Sequence, residues 1–443
     1  MTTIPSENRQ PRSVRGSPLD RIRPFENAPS LRSAQSGVGA TLCHRTPKGW
    51  RPFSVVVHPA DSSARCNTPS ILSVGLALSL LLSAAGASWA AETPNATPLG
   101  IPATNQPYAP QALVAGGVVV TLYPPESPVL NQARAREAEQ LTMTRGVPGR
   151  IQSLVNVHNP SIEVHNVEPG HNTGAAVILA PGGGHNSLVV GTEGADFVPF
   201  FYNYGVNTVI LRYRLRHDGY NPQVDAVNDA FQAIRLVRAR AKEWSIDPNK
   251  IGIVGFSAGA ELAAPAALAF EDFDQKHADA GDLLAGVSSR PDFVGLLYPG
   301  PTPFARDPNT PIPRRAPPTF IASAGSGDRA HAIWADQYFA AMLEAGVPNL
   351  EMHIYGRGSH GNGLKDRDGA PFGTWQARFI DWFRDLGFLQ KPGVETKAAQ
   401  DVQAFVSQPP HTSGPRGGGA DGRNPSGERG GGTNAANAGG RLR

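Results

Sequence analysis

The chain has 443 residues with 40 lysines and arginines against 37 aspartates and glutamates, and a net charge of +3 marks out no nucleic-acid partner. Both cysteines, Cys43 and Cys66, precede the first domain-like pattern, so the folded part can hold neither a disulfide framework nor a thiolate metal site. No spacing of histidines and carboxylates suggests a metal, and no cofactor is expected.

Residues 1–64 are rich in arginine and proline and lack hydrophobic periodicity, as in a leader extension or a misread upstream region. Residues 65–90 read as a signal peptide: Arg65 precedes an apolar stretch over 71–87, which ends in Ser88-Trp89-Ala90 with cleavage expected after Ala90. A membrane-spanning helix is the rival reading. The stretch is short and broken by Gly75, Ser79, Ser83 and Gly86, which favours cleavage, no stable membrane span afterwards, and a secreted or periplasmic protein. A linker over 91–115 leads into one domain over 116–390. The remainder, 391–443, runs through Gln408-Pro409-Pro410 and Arg429-Gly430-Gly431-Gly432, too poor in apolar side chains to offset ordering entropy, and reads as a disordered glycine-rich tail.

Within 116–390 short apolar runs alternate with amphipathic stretches, the pattern of an α/β fold whose mostly parallel sheet carries helices on both faces. Strands are expected over 118–123, 162–166, 175–179, 208–213, 250–255, 293–298, 319–324 and 350–355, the first two as an antiparallel edge. Helices are expected over 194–204, 225–244, 258–271, 331–345 and 373–386. In the second of these Ala226, Ala230, Ile234, Val237 and Ala241 fall on one face.

The most informative stretch is Gly255-Phe256-Ser257-Ala258-Gly259, between the strand over 250–255 and a helix-forming run. A nucleophilic serine needs a sharp strand-to-helix turn, with small neighbours that leave room for the backbone and for a substrate. The bland alternative is a glycine-rich turn with an inert serine. Chain order then calls for an acid after a later strand and a histidine after the last one. Asp328 follows the strand over 319–324, its alternative being an ordinary cap for the next helix, and His360 sits in Gly356-Arg357-Gly358-Ser359-His360-Gly361. His353 competes from inside a strand, and His331 follows too closely behind Asp328 to be oriented by it. Oxyanion donors are expected from the Ala258 N–H at a helix start and from Gly183 and Gly184 in Pro181-Gly182-Gly183-Gly184-His185. A phosphate loop is the competing reading of those glycines, but the Lys-Ser or Lys-Thr it requires is missing.

These residues resemble the secreted bacterial α/β-hydrolases grouped with acetyl xylan esterases, also described as xylanase-B-like or feruloyl-esterase-like. The segments that carry the resemblance include Ala180-Pro181-Gly182-Gly183-Gly184, Leu211-Arg212-Tyr213-Arg214-Leu215, Asp229 with Arg235, Gly255-Phe256-Ser257-Ala258-Gly259 and Ser359-His360-Gly361. The resemblance implies an α/β-hydrolase fold and a serine esterase acting on acylated carbohydrate or a small ester, with Ser257, Asp328 and His360 in the catalytic roles. It also marks Glu193 and Asp229 as fixed acids near the sheet, expected as buried partners for Arg212, Arg214 or Arg235 in preference to a direct catalytic role. His185, Glu261 and Asn362 depart from the family pattern, at positions that bear on acyl and sugar preference.

Two other functions compete. A serine peptidase of the prolyl-oligopeptidase type would bring a large cap, for which the span between Ser257 and Asp328 leaves no room. A non-catalytic binding protein on the same scaffold predicts a missing triad member. The proline-rich connection over 299–318 is expected to rim the pocket.

Overall fold

The computed structural model describes residues 106–279, 281–361, 363–364 and 371–409. The expected leader and signal peptide, most of the linker, and the tail beyond 409 lie outside them. Ten strands occur in chain order: β1 (Val118–Thr121), β2 (Gln140–Met143), β3 (Ile151–Val155), β4 (Ser161–His165), β5 (Ala176–Ala180), β6 (Asn207–Arg212), β7 (Ile251–Phe256), β8 (Val294–Leu297), β9 (Thr319–Ala324) and β10 (Glu351–Tyr355). Eight of them form one sheet in the order β1-β4-β6-β5-β7-β8-β9-β10. β4 pairs antiparallel with both β1 and β6, and every other neighbour pair is parallel. The expected antiparallel edge is therefore present.

β4 to β9 are buried along their whole length, and in the parallel part of the sheet, β5 to β9, this follows from helices covering both faces. Because side chains alternate across a strand, β5 sends Ala176, Ile178 and Ala180 to one core and Val177 and Leu179 to the other. Helices α2 (Val227–Ala239), α3 (Ala260–Leu268), α4 (Phe270–Lys276) and α6 (Arg329–Glu344) pack into the first core. Helices α1 (Phe197–Tyr202) and α7 (Trp375–Asp385) pack into the second, and a short α5 (Pro303–Arg306) precedes β9. This is the α/β-hydrolase fold.

Three elements depart from the sequence expectation. β2 and β3 pair as a separate antiparallel hairpin, tied back to the body by Leu154 N–H to Leu188 O at 3.0 Å and Leu188 N–H to Leu154 O at 2.8 Å. The ordered body begins before residue 116, since Tyr108 is buried and the N–H groups of Leu113 and Val114 donate to Glu163. The segment expected to be a disordered tail opens instead with helix α8 (Lys397–Ser407), whose Thr396 side chain accepts from Ala399 N–H at 3.1 Å and whose Ala398 and Val402 are buried. Threonine at the cap and apolar residues four apart give it a face to bury.

Candidate active site

β7 is followed directly by Ser257, whose φ of 52° is left-handed and unusual for a residue with a side chain. Such a conformation costs about 1–3 kcal/mol and persists only where the surroundings enforce it. A Cβ added to Gly259 would lie 1.9 Å from Ala180 O, so the chain leaves the turn pressed against the end of β5 only because that residue is glycine. Beneath the turn the Phe256 ring packs against Phe197, Tyr298 and Trp375 with centroids 5.2, 6.1 and 6.1 Å away. Each such aromatic pair contributes about 0.5–1.5 kcal/mol beyond area burial.

The chain ends of three parallel strands meet over this turn. The Ser257 hydroxyl lies 2.7 Å from His360 Nε2, and His360 Nδ1–H donates to Asp328 Oδ2 at 2.8 Å. Asp328 follows β9 and is buried, whereas His360, on the loop after β10, keeps part of its ring open. Burial works to raise the Asp328 pKa, but hydrogen bonds from His331 and His360 outweigh it and hold the carboxyl below the ordinary aspartate range. His353 plays no part here; its Nε2 bonds Glu351 on its own strand at 2.7 Å.

His331 corrects the sequence reading. Helix α6 starts at Arg329, and its first turn brings residue 331 back beside residue 328. Its Nδ1–H reaches Asp328 Oδ1 at 2.5 Å, and its ring lies 3.9 Å from that of His360. Asp328, His331 and His360 also form a group, among the described residues, whose ligand-type atoms converge within 4.8 Å, a convergence that sequence spacing did not reveal. Both oxygens of Asp328 are engaged by imidazole nitrogens, which makes the group a hydrogen-bonded relay.

The glycine loop after β5 lies across from Ser257. Gly183 has a φ of 127°, and a Cβ there would lie 2.1 Å from Ser187 O. The Gly182 N–H is committed to Glu193 Oε2 at 2.7 Å, while among the described residues no acceptor takes the N–H of Gly183 or Gly184. Ala258, buried at the first turn after β7, supplies the N–H next to the serine. Contrary to expectation, Arg212, Arg214 and Arg235 pair with acids other than Glu193; Tyr298 O–H donates to Glu193 Oε1 at 2.8 Å, so Glu193 braces the glycine loop against β8. Tyr298 also accepts from Gly363 N–H at 3.2 Å, and its ring meets that of His360 at 5.0 Å. The other acid behaves as expected, Asp229 bonding Arg214 at 2.8 Å. Arg212 pairs with Glu139 and Glu163, and Arg235 with Asp282.

Ser257, His360, His331, Gly183 and Gly184 line one cleft of about 840 Å³. Its rim is not the connection over 299–318, which contributes no residue to the lining among the described residues and instead packs Phe304 against Tyr338 of α6. The rim comes from the β2–β3 hairpin, through Thr144, Arg145, Arg150 and Gln152. The sequence signal for this hairpin was Gly146-Val147-Pro148-Gly149, a turn between two β-prone quartets.

Residues 166–285 match the BD-FAE family model. The matched region holds the glycine loop and Ser257, while Asp328 and His360 lie beyond it. Over 247 residues the chain is 29% identical to an acetylxylan esterase of Xylanibacter ruminicola, covering 49% of this chain and 46% of that protein. Over 124 residues it is 32% identical to endo-1,4-beta-xylanase B of Butyrivibrio fibrisolvens, covering 28% of this chain and 19% of that protein. The chain thus spans less than half the length of these curated relatives. A crystal structure of an acetyl ester-xyloside bifunctional hydrolase from Caldicellulosiruptor lactoaceticus is similar with a TM-score of 0.49 and 25% identity, over 63% of this chain and 99% of that one.

Proposed function

We propose that this protein is a serine carboxylic ester hydrolase that removes small acyl groups from carbohydrate esters. The observation that carries the reading is the hydrogen-bonded chain from the Ser257 hydroxyl through His360 to a buried Asp328, opening into a cleft. In this mechanism His360 Nε2 takes the hydroxyl proton as Ser257 Oγ attacks the ester carbonyl, and Asp328 stabilises the resulting imidazolium. The N–H groups of Ala258 with Gly183 or Gly184 meet the developing oxyanion, a term worth about 3 kcal/mol per donor. His360 then returns the proton to the departing alcohol, and water repeats the sequence to free the acid.

Two features favour a small acyl group on a polar alcohol. The cleft that holds Ser257 is lined by the small or short side chains of Gly183, Gly184, Gly361, Val189 and Thr192, whereas its hairpin rim offers hydroxyl, amide and guanidinium groups suited to sugar hydroxyls. The deciding experiment compares kcat/KM for nitrophenyl esters from acetate to decanoate, together with acetate release from acetylated xylan. Specificity is expected to fall beyond the shortest chains, since overfilling a rigid pocket costs about 1–3 kcal/mol. A steady rise to decanoate would remove the carbohydrate-esterase reading. We also propose that the protein is exported, on the signal-like residues 65–90; N-terminal sequencing from the producing cell should then begin at or near Ala91.

A further inference from the structure

We propose that His331 is a positioning residue of the catalytic relay, one that shares Asp328 with His360 and keeps His360 available as a base at lower pH. The inference rests on the esterase reading and adds to it a second imidazole that chain order does not assign.

Each oxygen of Asp328 faces one ring: His331 Nδ1 lies 2.5 Å from Oδ1 and His360 Nδ1 lies 2.8 Å from Oδ2. The two rings lie one over the other, centroids 3.9 Å apart and planes 33° from parallel, and both line the cleft. An edge-on contact with Trp334, one turn along in α6, fixes the outer side of His331. Asp328 therefore cannot swing away from His360 without breaking a second hydrogen bond. Other charged groups lining this cleft are Glu193, which is bonded to Gly182 and Tyr298, Arg150, which is paired with Asp196, and Arg145. His331 and His360 are thus the two imidazoles that a single carboxylate stabilises.

The consequence is a coupled titration. One proton added to the pair resides on either ring, and the second is opposed by the first at this separation. The singly protonated form with the charge on His331 still has a neutral His360 beside Ser257, so attack continues. Without His331 the whole stabilising field of Asp328 acts on His360 alone, and base function is lost at higher pH. His331 also holds the aspartate rotamer, a role that any donor in the place of Nδ1 could fill.

The test is the pH dependence of covalent labelling of Ser257 by a fluorophosphonate, read by intact mass, in wild type, His331→Phe and His331→Asn. The phosphorus forms a bond to Ser257 Oγ, fluoride departs, and the hydroxyl proton passes to His360, so the rate reports neutral His360 without depending on the choice of ester. His331→Phe should label about tenfold more slowly at the optimum, the loss expected for one positioning hydrogen bond of about 1.4 kcal/mol. Its acid limb should move up by about half a pH unit or more. His331→Asn, which keeps an N–H donor near Asp328 Oδ1, should recover most of the rate but retain the shifted limb. Both variants labelling with the wild-type limb would overturn the inference while leaving the esterase reading intact. Failure of wild type to label at Ser257 would overturn both.

Discussion

At the antiparallel edge of the sheet His165 Nε2 lies 2.9 Å from Glu163 Oε1, and at the end of β9 His360 Nδ1 lies 2.8 Å from Asp328 Oδ2. The two pairs are alike in chemistry and length, and both carboxyls are held below their ordinary range although burial opposes it. They differ in what lies further along the chain of bonds. Glu163 also accepts from Arg212 at 2.6 Å and from the N–H groups of Leu113 and Val114, so every partner is part of the scaffold and the His165 side chain is 8% exposed. Beyond Asp328 and His360 stands a serine hydroxyl facing a cleft, and the His360 side chain is 37% exposed. A buried carboxylate–imidazole pair is thus no signature of catalysis in itself; a terminal hydroxyl with access to substrate separates the two.

The sharpest way to break the comparison is Ser257→Ala, which removes the open end. Turnover of a small acetyl ester should fall by about four orders of magnitude, because the relay acts as a unit, with the unfolding midpoint unchanged. Retention of a tenth of wild-type activity would mean the cleft does not work through this hydroxyl.

Glu163→Gln acts on the closed cluster. It leaves the buried Arg212 with less compensation and should lower stability by about 3 kcal/mol, while kcat of the folded protein stays within about twofold. The pH dependence has a definite sign. Because the folded Glu163 carboxyl titrates below its ordinary value, its contribution is fully present above that value of 4.5 and is lost as pH falls through the folded pKa. Denaturant midpoints followed downward from pH 6 should therefore drop less steeply in Glu163→Gln than in wild type; parallel curves would show that the cluster is not linked to folding. A smaller effect is expected between the two regions, at Tyr298→Phe. Loss of its hydroxyl removes one of the bonds that brace Glu193 and the glycine loop and should lower kcat about tenfold, roughly 1.4 kcal/mol, with KM little changed.

The contrast also explains what could be read from the amino-acid sequence. Ser257 and Asp328 were legible because each follows a strand whose apolar run is plain, and His360 because chain order calls for a histidine after the last strand; in a parallel sheet strand ends converge whatever the loops between them do. The closed cluster was not, since Glu139 lies on the edge of the unrecognised hairpin and Leu113 in a stretch read as linker. Glu193 was misassigned because the arginines expected beside it pair instead with Glu139, Glu163, Asp229 and Asp282. Helix α8 was hidden by its setting: Ala398, Val402 and Phe405 keep a helical spacing, but glycine- and proline-rich residues on the far side dominate the composition.

The most direct test measures kcat/KM for an acetyl ester and the unfolding midpoint side by side in His360→Ala and Glu163→Gln. Opposite losses are expected. His360→Ala should lose at least a thousandfold in kcat/KM with its midpoint held, and Glu163→Gln should lose its midpoint with turnover held. Activity in His360→Ala within tenfold of wild type, or activity and stability falling together in both variants, would contradict it.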